Sequence, residues 1–128
     1  MKQLIDNIAS IRYAKISTIE YEQIDRIAKT IELDTVWELM LTGNSLMTIQ
    51  GVQADEGFVF KTDLSSSLKS ELLLDEPVIL LIELTDNNHL VLGETDLPVI
   101  FDEVHLMAGK SISANHDSWH YPYTLIDY

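Results

Sequence analysis

The run Glu76-Pro-Val-Ile-Leu-Leu-Ile-Glu-Leu-Thr-Asp-Asn-Asn-His-Leu-Val-Leu-Gly-Glu-Thr-Asp-Leu-Pro-Val-Ile-Phe-Asp-Glu-Val104 constrains the fold more than any other part of the chain. Its apolar, β-branched stretches are separated by turn residues, the sequence form of an antiparallel meander. Val78 to Ile82 is apolar at every position. A strand of that kind predicts burial on both faces rather than one. Asp86-Asn-Asn-His89 predicts a two-residue hairpin turn, because Asn tolerates a positive φ at both central positions. That turn would set Leu84 opposite Val91 and Ile82 opposite Gly93, with Gly93 marking a bulge or a close backbone approach. Thr95-Asp-Leu-Pro98 turns the chain again, and Pro98 should open a third strand.

Upstream, Gly57 to Lys69 alternates. Phe58, Phe60, Leu64 and Leu68 share one parity, while Lys61, Asp63, Ser65, Ser67 and Lys69 occupy the other. This predicts a long, half-buried strand whose serine run is the solvated face. Ala54-Asp-Glu-Gly57 would join it to a strand near Ser45 to Val52. Glu71-Leu-Leu-Leu-Asp-Glu fits a single helical turn or a loop. Tyr121-Pro-Tyr-Thr-Leu-Ile-Asp-Tyr128 reads as a last strand. Nearer the N-terminus, Ile24, Ile27, Ala28 and Ile31 have helical spacing, with Ser17 or Thr18 as a cap and Glu22 and Arg26 as an outer pair. The expectation is a short helix at about 19–31, although Ile11 to Ile19 also reads as an early strand. Val36 to Leu41 is expected to be strand.

The fold class expected is therefore mainly β, an antiparallel meander closing into a small sandwich or barrel, with α+β as the alternative. At 128 residues the chain is expected to be one domain. With no cysteine, zinc ribbons and cysteine nucleophiles are excluded. The start Met1-Lys-Gln-Leu-Ile-Asp-Asn has no apolar core of the signal-peptide kind, and the longest apolar run is far short of a membrane span. A soluble protein made and kept in a cytoplasm is expected.

Net charge is −13. All of it lies after residue 29, because five of the eight basic residues precede residue 30 and seventeen of the twenty-one acids follow residue 29, so residues 30–128 net −14 and residues 1–29 net +1. Such a surface repels nucleic acid and anionic membrane, so neither is expected as a partner. It also suits either plain solubility or steering toward a basic protein.

Side-chain chemistry offers little. His116 and His120 have the i,i+4 spacing that lets a helix present two imidazoles to one metal, but Asn115-His-Asp-Ser-Trp-His-Tyr-Pro-Tyr123 is a poor helix former. His89 beside a turn and His105 in an alternating strand read as exposed side chains. There is no Gly-x-Ser-x-Gly elbow and no glycine-rich phosphate loop. Asp102-Glu103, between Phe101 and Val104, comes nearest to a perturbed acid pair, yet adjacent strand residues face opposite sides. No catalytic residue, cofactor or metal site is expected. Trp119, Tyr121 and Tyr123 are the candidate interaction surface, since such residues dominate interface hot spots. The competing reading is that each fills a core or covers a sheet edge, which is favoured for Trp37.

The assembled pattern resembles small structural proteins of prophages in Bacteroidetes. The resemblance is carried by Asp55-Glu-Gly57 with Phe58-Val-Phe60-Lys-Thr-Asp-Leu64, then Val78-Ile-Leu-Leu-Ile-Glu-Leu84, Asp86-Asn-Asn88, Leu90-Val-Leu-Gly93, Pro98-Val-Ile-Phe101 and, loosely, Tyr121-Pro-Tyr-Thr-Leu-Ile126. It covers about residues 45–127. Two departures stand out: the segment Lys69 to Glu76 is shorter, and Tyr121-Pro122 replaces a glycine before the last strand. The resemblance implies a head–tail or tail component, in the bacterial host cytoplasm or a virion, that assembles through contacts with protein partners or copies of itself, and it brings no active-site residues. The alternative, from charge, is an acidic immunity protein or inhibitor that occupies the basic cleft of a nuclease-like partner.

Overall fold

Every side chain from Val78 to Ile82 has no solvent exposure at all. Two separate apolar clusters account for this. Val78, Leu80 and Ile82 belong to one, and Ile79 and Leu81 to the other. The strand that carries them is thus buried on both faces, as its unbroken apolar run demands.

The computed structural model describes residues 2–55, 57–101 and 105–126. Its strands, in chain order, are β1 (Lys2–Ile5), β2 (Ile8–Lys15), β3 (Tyr21–Asp25), β4 (Thr30–Asp34), β5 (Glu38–Met40), β6 (Thr42–Ala54), β7 (Gly57–Leu68), β8 (Leu72–Leu73), β9 (Val78–Leu84), β10 (His89–Leu92), β11 (His105–Leu106), β12 (Ser111–Ser118) and β13 (Tyr123–Leu125). A single 3-10 turn at Ile16–Thr18 is the only helical element among the described residues. The fold is mainly β. No helix among the described residues is long and apolar enough to cross a membrane.

Two principal sheets form. One runs β1-β6-β7-β12, and the other runs β3-β4-β13-β10-β9-β2-β5. A two-stranded pair, β8 with β11, stands beside them. The larger core lies between the principal sheets, where Met47, Ile49 and Leu64 of the first meet Ile11, Leu80 and Ile82 of the second. This is a sandwich, built by the alternation of inward apolar and outward polar residues. The smaller core lies on the opposite face of β9, where Ile31 of β4 and Tyr123 and Leu125 of β13 join Ile79 and Leu81. The second sheet is mixed, because β13 runs parallel to β4.

The hairpin after β9 departs from expectation. The observed register pairs Leu90 with Ile82 and Leu92 with Leu80. That is a slip of three residues from Leu84 opposite Val91, and an odd slip turns β10 over. The cause is the turn chemistry. Asn87 alone has positive φ, at 69°, and its N–H donates to Leu84 O at 3.2 Å. Leu84 N–H then donates to Asn88 O at 2.9 Å. This is a three-residue loop rather than the two-residue turn. Gly93 marks a swerve: its φ is 97°, and a Cβ there would lie 3.3 Å from Val99 Cγ2. The chain leaves β10, turns tightly with paired bonds between Glu94 and Leu97, and returns so that Val99 pairs with Val78. Pro98 therefore precedes a single bridge to β9 rather than a third strand of the meander.

The helix expected at 19–31 is absent, and a β-hairpin of β3 and β4 stands in its place. Ile24 and Ile31, read as one helical face, instead face each other across that hairpin. Asp25 Oδ1 accepts from the N–H groups of Ile27 and Ala28 at 3.0 and 2.9 Å, which holds the turn. Ile27 is 96% exposed at its tip. Burial of Ile31 in the second core, with four isoleucines and a threonine in residues 19–31, favours strand over helix. Val36 to Leu41 contains the short strand β5, and Glu71 to Glu76 contains β8. The serine run is only partly a solvated face. Ser65 is exposed, but Ser66 is buried and its hydroxyl lies 2.7 Å from that of Ser45.

Glu83 is held below the usual carboxylate range. Burial pushes the other way, but hydrogen bonds from Arg12 and Ser10 and the charges of Arg12 and His89 outweigh it. His89, expected as exposed, is half-buried, with Nε2 3.6 Å from Glu83 Oε2.

Removing buried methylenes from a strand packed on both sides leaves a cavity that cannot collapse from either face. Leu81→Ala is expected to cost about 2–5 kcal/mol, whereas Leu39→Ala, at a site 47% exposed, should cost less than about 1 kcal/mol. Urea denaturation followed by circular dichroism checks the contrast, and equal losses would contradict this account of β9.

Candidate functional site

The strand Ser111-Ile-Ser-Ala-Asn-His-Asp-Ser118 alternates strictly. Ile112, Ala114 and His116 point inward and are buried, while Ser111, Ser113, Asn115 and Asp117 are exposed. It pairs with β7 along its whole length, from Ser111↔Ser67 to Ser118↔Phe60, with no shift of register. β12 is the last strand of its sheet, so among the described residues its other side has no strand partner.

The phase of the ladder fixes which peptide groups are available. Leu68 N–H donates to Lys110 O at 3.0 Å, so even-numbered residues of β12 direct their hydrogen-bonding groups to β7. By alternation, Ser111, Ser113, Asn115 and Asp117 direct theirs outward. Proteins ordinarily guard such an edge with lysines, proline or a bulge. Residues 111–118 contain no lysine, arginine or proline. Their one acid, Asp117, has Lys61 Nζ 4.0 Å away. The other terminal strands differ: β1 and β5 have four and three residues, and β3 carries Glu22 and Asp25. Beside the start of β12 lies a mixed groove, lined by Phe101, Leu106, Met107 and Ile112 and by Lys110, Ser111 and Ser113. Met107 is 52% exposed there.

The three candidate aromatic residues divide. Trp119, one residue past β12, is 53% exposed and available to a partner. Tyr121 is half-buried, with its ring edge-on to Phe60 and its hydroxyl donating to Gln3 Oε1 at 2.5 Å. Burial pushes its phenol up, and the Gln3 bond opposes this. Tyr123 is a core residue, 5% exposed, with its hydroxyl accepting from Arg26 Nη1 at 2.7 Å. The three are not one surface, because the chain folds inward after Trp119.

Sequence reasoning missed a polar cluster at the junction of the two sheets. Glu22 accepts from Thr95 N–H at 2.9 Å and from its hydroxyl at 2.7 Å. His116 Nε2 lies 2.9 Å from Leu97 O. His120 packs against the ring of Tyr123 at 5.9 Å. Glu94, His116, His120 and Tyr123 line a small cleft there, and Glu94 Oε2 is buried with no hydrogen-bond partner. The two histidines share no helix: His116 lies on the edge strand β12 and His120 just past its end. His116 is a buried strand residue that ties β12 to the 94–97 turn. The cluster joins segments near residues 22, 95 and 120, so no local sequence signal marks it. No group of three or more His, Cys, Asp or Glu among the described residues is placed to hold a metal ion. Asp102 and Glu103 lie outside the described residues, as does the side chain of His105.

No family model matches this sequence, and no solved structure matches the fold.

His120 titrates below the usual histidine value of 6.5, first because burial disfavours its charged form and next because Arg26 is close; Glu94 opposes this and Lys29 adds to it. The unfolded chain therefore takes up this proton at higher pH than the folded one. Its contribution to stability is full above about pH 6.5 and is lost as pH falls below that value toward the folded pKa. His120→Gln is expected to flatten the fall in stability between about pH 6.5 and pH 5. Urea midpoints measured for both chains across that range test it, and parallel curves would count against the assignment.

Proposed function

We propose that this chain is a non-enzymatic structural protein of phage or prophage type that joins an assembly through the outer edge of β12. One observation carries the reading: an eight-residue edge strand with no lysine, proline or bulge within it, set beside a groove of mixed polarity. A strand added there would gain main-chain hydrogen bonds along the edge and a side-chain contact in the groove, the two components of strand-addition recognition. Trp119, exposed at the end of the same strand, extends that surface. The resemblance to prophage structural proteins supports the same class. The charge of −13 supports protein partners over nucleic acid or anionic membrane.

The expected location is the host cytoplasm before assembly and the particle after it. In cells that make the particles, a tagged copy is expected to co-sediment with them through a density gradient. Recovery only in the free soluble fraction would remove this reading. A one-to-one complex with a basic protein that weakens steeply as salt rises would favour the acidic-inhibitor alternative instead.

A further inference from the structure

Resting on the reading of β12 as an assembly edge, we infer that its occupant is the β12 of a second copy of this chain, paired antiparallel about a twofold axis through Ala114. The register follows from the edge itself. Four residues, Ser111, Ser113, Asn115 and Asp117, direct their peptide groups outward. In an antiparallel pair, two residues exchange both bonds only when both face the partner. With Ala114 on the axis, Ser111 meets Asp117 of the other copy and Ser113 meets Asn115. Every outward-facing residue then finds another, and no other twofold register satisfies all four.

The side chains agree with this register. Antiparallel partners share a face of the sheet, so the inward set meets the inward set: Ile112 faces His116 of the other copy. At the axis two alanines meet, where the Cα atoms of a non-hydrogen-bonded pair come closest and a small side chain fits. No acid faces an acid. This matters in a chain of charge −13, where most surfaces repel their own copy. The twofold contact is isologous and closes as a dimer.

Trp119 gains a place as well. Continued past Ser118, the register brings residue 119 of one copy level with Gly109 of the other. Gly109 lies in the turn that Lys110 N–H closes on Met107 O at 3.3 Å. Met107 and Lys110 line the groove, so the exposed indole arrives beside a thioether and an ammonium group, both of which pack on an aromatic ring. The pairing thus covers the exposed side chains of Trp119 and Met107.

Sedimentation velocity of the full chain over a range of concentrations tests the inference. A monomer–dimer equilibrium is expected, and it should strengthen with salt because both copies are acidic. The double variant S113K/N115K sets lysine against lysine twice across the axis and should weaken dimerisation at least tenfold. Its fold should survive, because both side chains are exposed and Asn115 pairs with Asp63 on β7. The variant S113D/N115K sets aspartate against lysine twice and should restore the dimer. W119S should weaken it severalfold. A dimer that persists in folded S113K/N115K overturns the edge, and failure of S113D/N115K to restore it overturns the register. An undiminished dimer in W119S overturns the place given to Trp119. A wild-type chain that stays monomeric, yet enters particles through contacts with a different protein, overturns the second-copy inference and leaves the proposed function standing.

Discussion

Burial of β9 on both faces is the condition on which the remaining structure depends. Each of its five central side chains contributes about 1.5–3 kcal/mol when removed from water, but only if something covers each face. The four-stranded sheet covers one face. The other is covered by β4 and β13 with the 3-10 segment, whose Ile16 packs against the same cluster. The β3–β4 hairpin is therefore there to close the second core, and the parallel contact of β13 with β4 completes it.

This requirement explains what could and could not be read from the chain. The apolar run Val78 to Ile82 announced its own double burial, and the alternation at Gly57 to Lys69 announced a long strand. Turn positions near Asp55, Asn87 and Asp96 were legible from their residue types. Pairing was not. Ile24 and Ile31 satisfy a helical period and also face each other across a hairpin, and only the second core distinguishes the two. The register after β9 depended on one left-handed residue rather than two, and Asn-Asn permits either. The return of Val99 to β9 was hidden because Gly93 redirects the chain by a conformation, not by a pattern.

The site was less legible than the fold. Trp119 stood out and is exposed, while Tyr121 and Tyr123, equally prominent in the sequence, turn into the body of the molecule. Residues 111–118 carry only Ile112 and Ala114 as apolar members of their alternation, too few to announce a strand, and an open edge is a property of sheet order, which residue types alone do not encode. The cluster of Glu22, Glu94, His116 and His120 depends on contacts between distant segments, so its members looked like unrelated polar residues. His116 is the clearest case: beside a proline-containing segment it suggested a loop or a strand edge, and it is an inward residue of an edge strand, sharing the parity of Ile112 and Ala114.

The strand pairings also bear on how the chain reaches this state. β2 is made early but pairs with β9, and β4 pairs with β13, joining Thr30 to Thr124. The neighbours of β9 thus come from both sides of it in sequence, and the second core stays open until the last strand arrives. Chains dominated by such distant pairings fold in milliseconds to seconds rather than microseconds. During synthesis the apolar run of β9 emerges before β10 and β13 exist to flank and cover it. The order of translation therefore leaves the most hydrophobic strand waiting for its cover, a period in which a bound chaperone would have the most to protect.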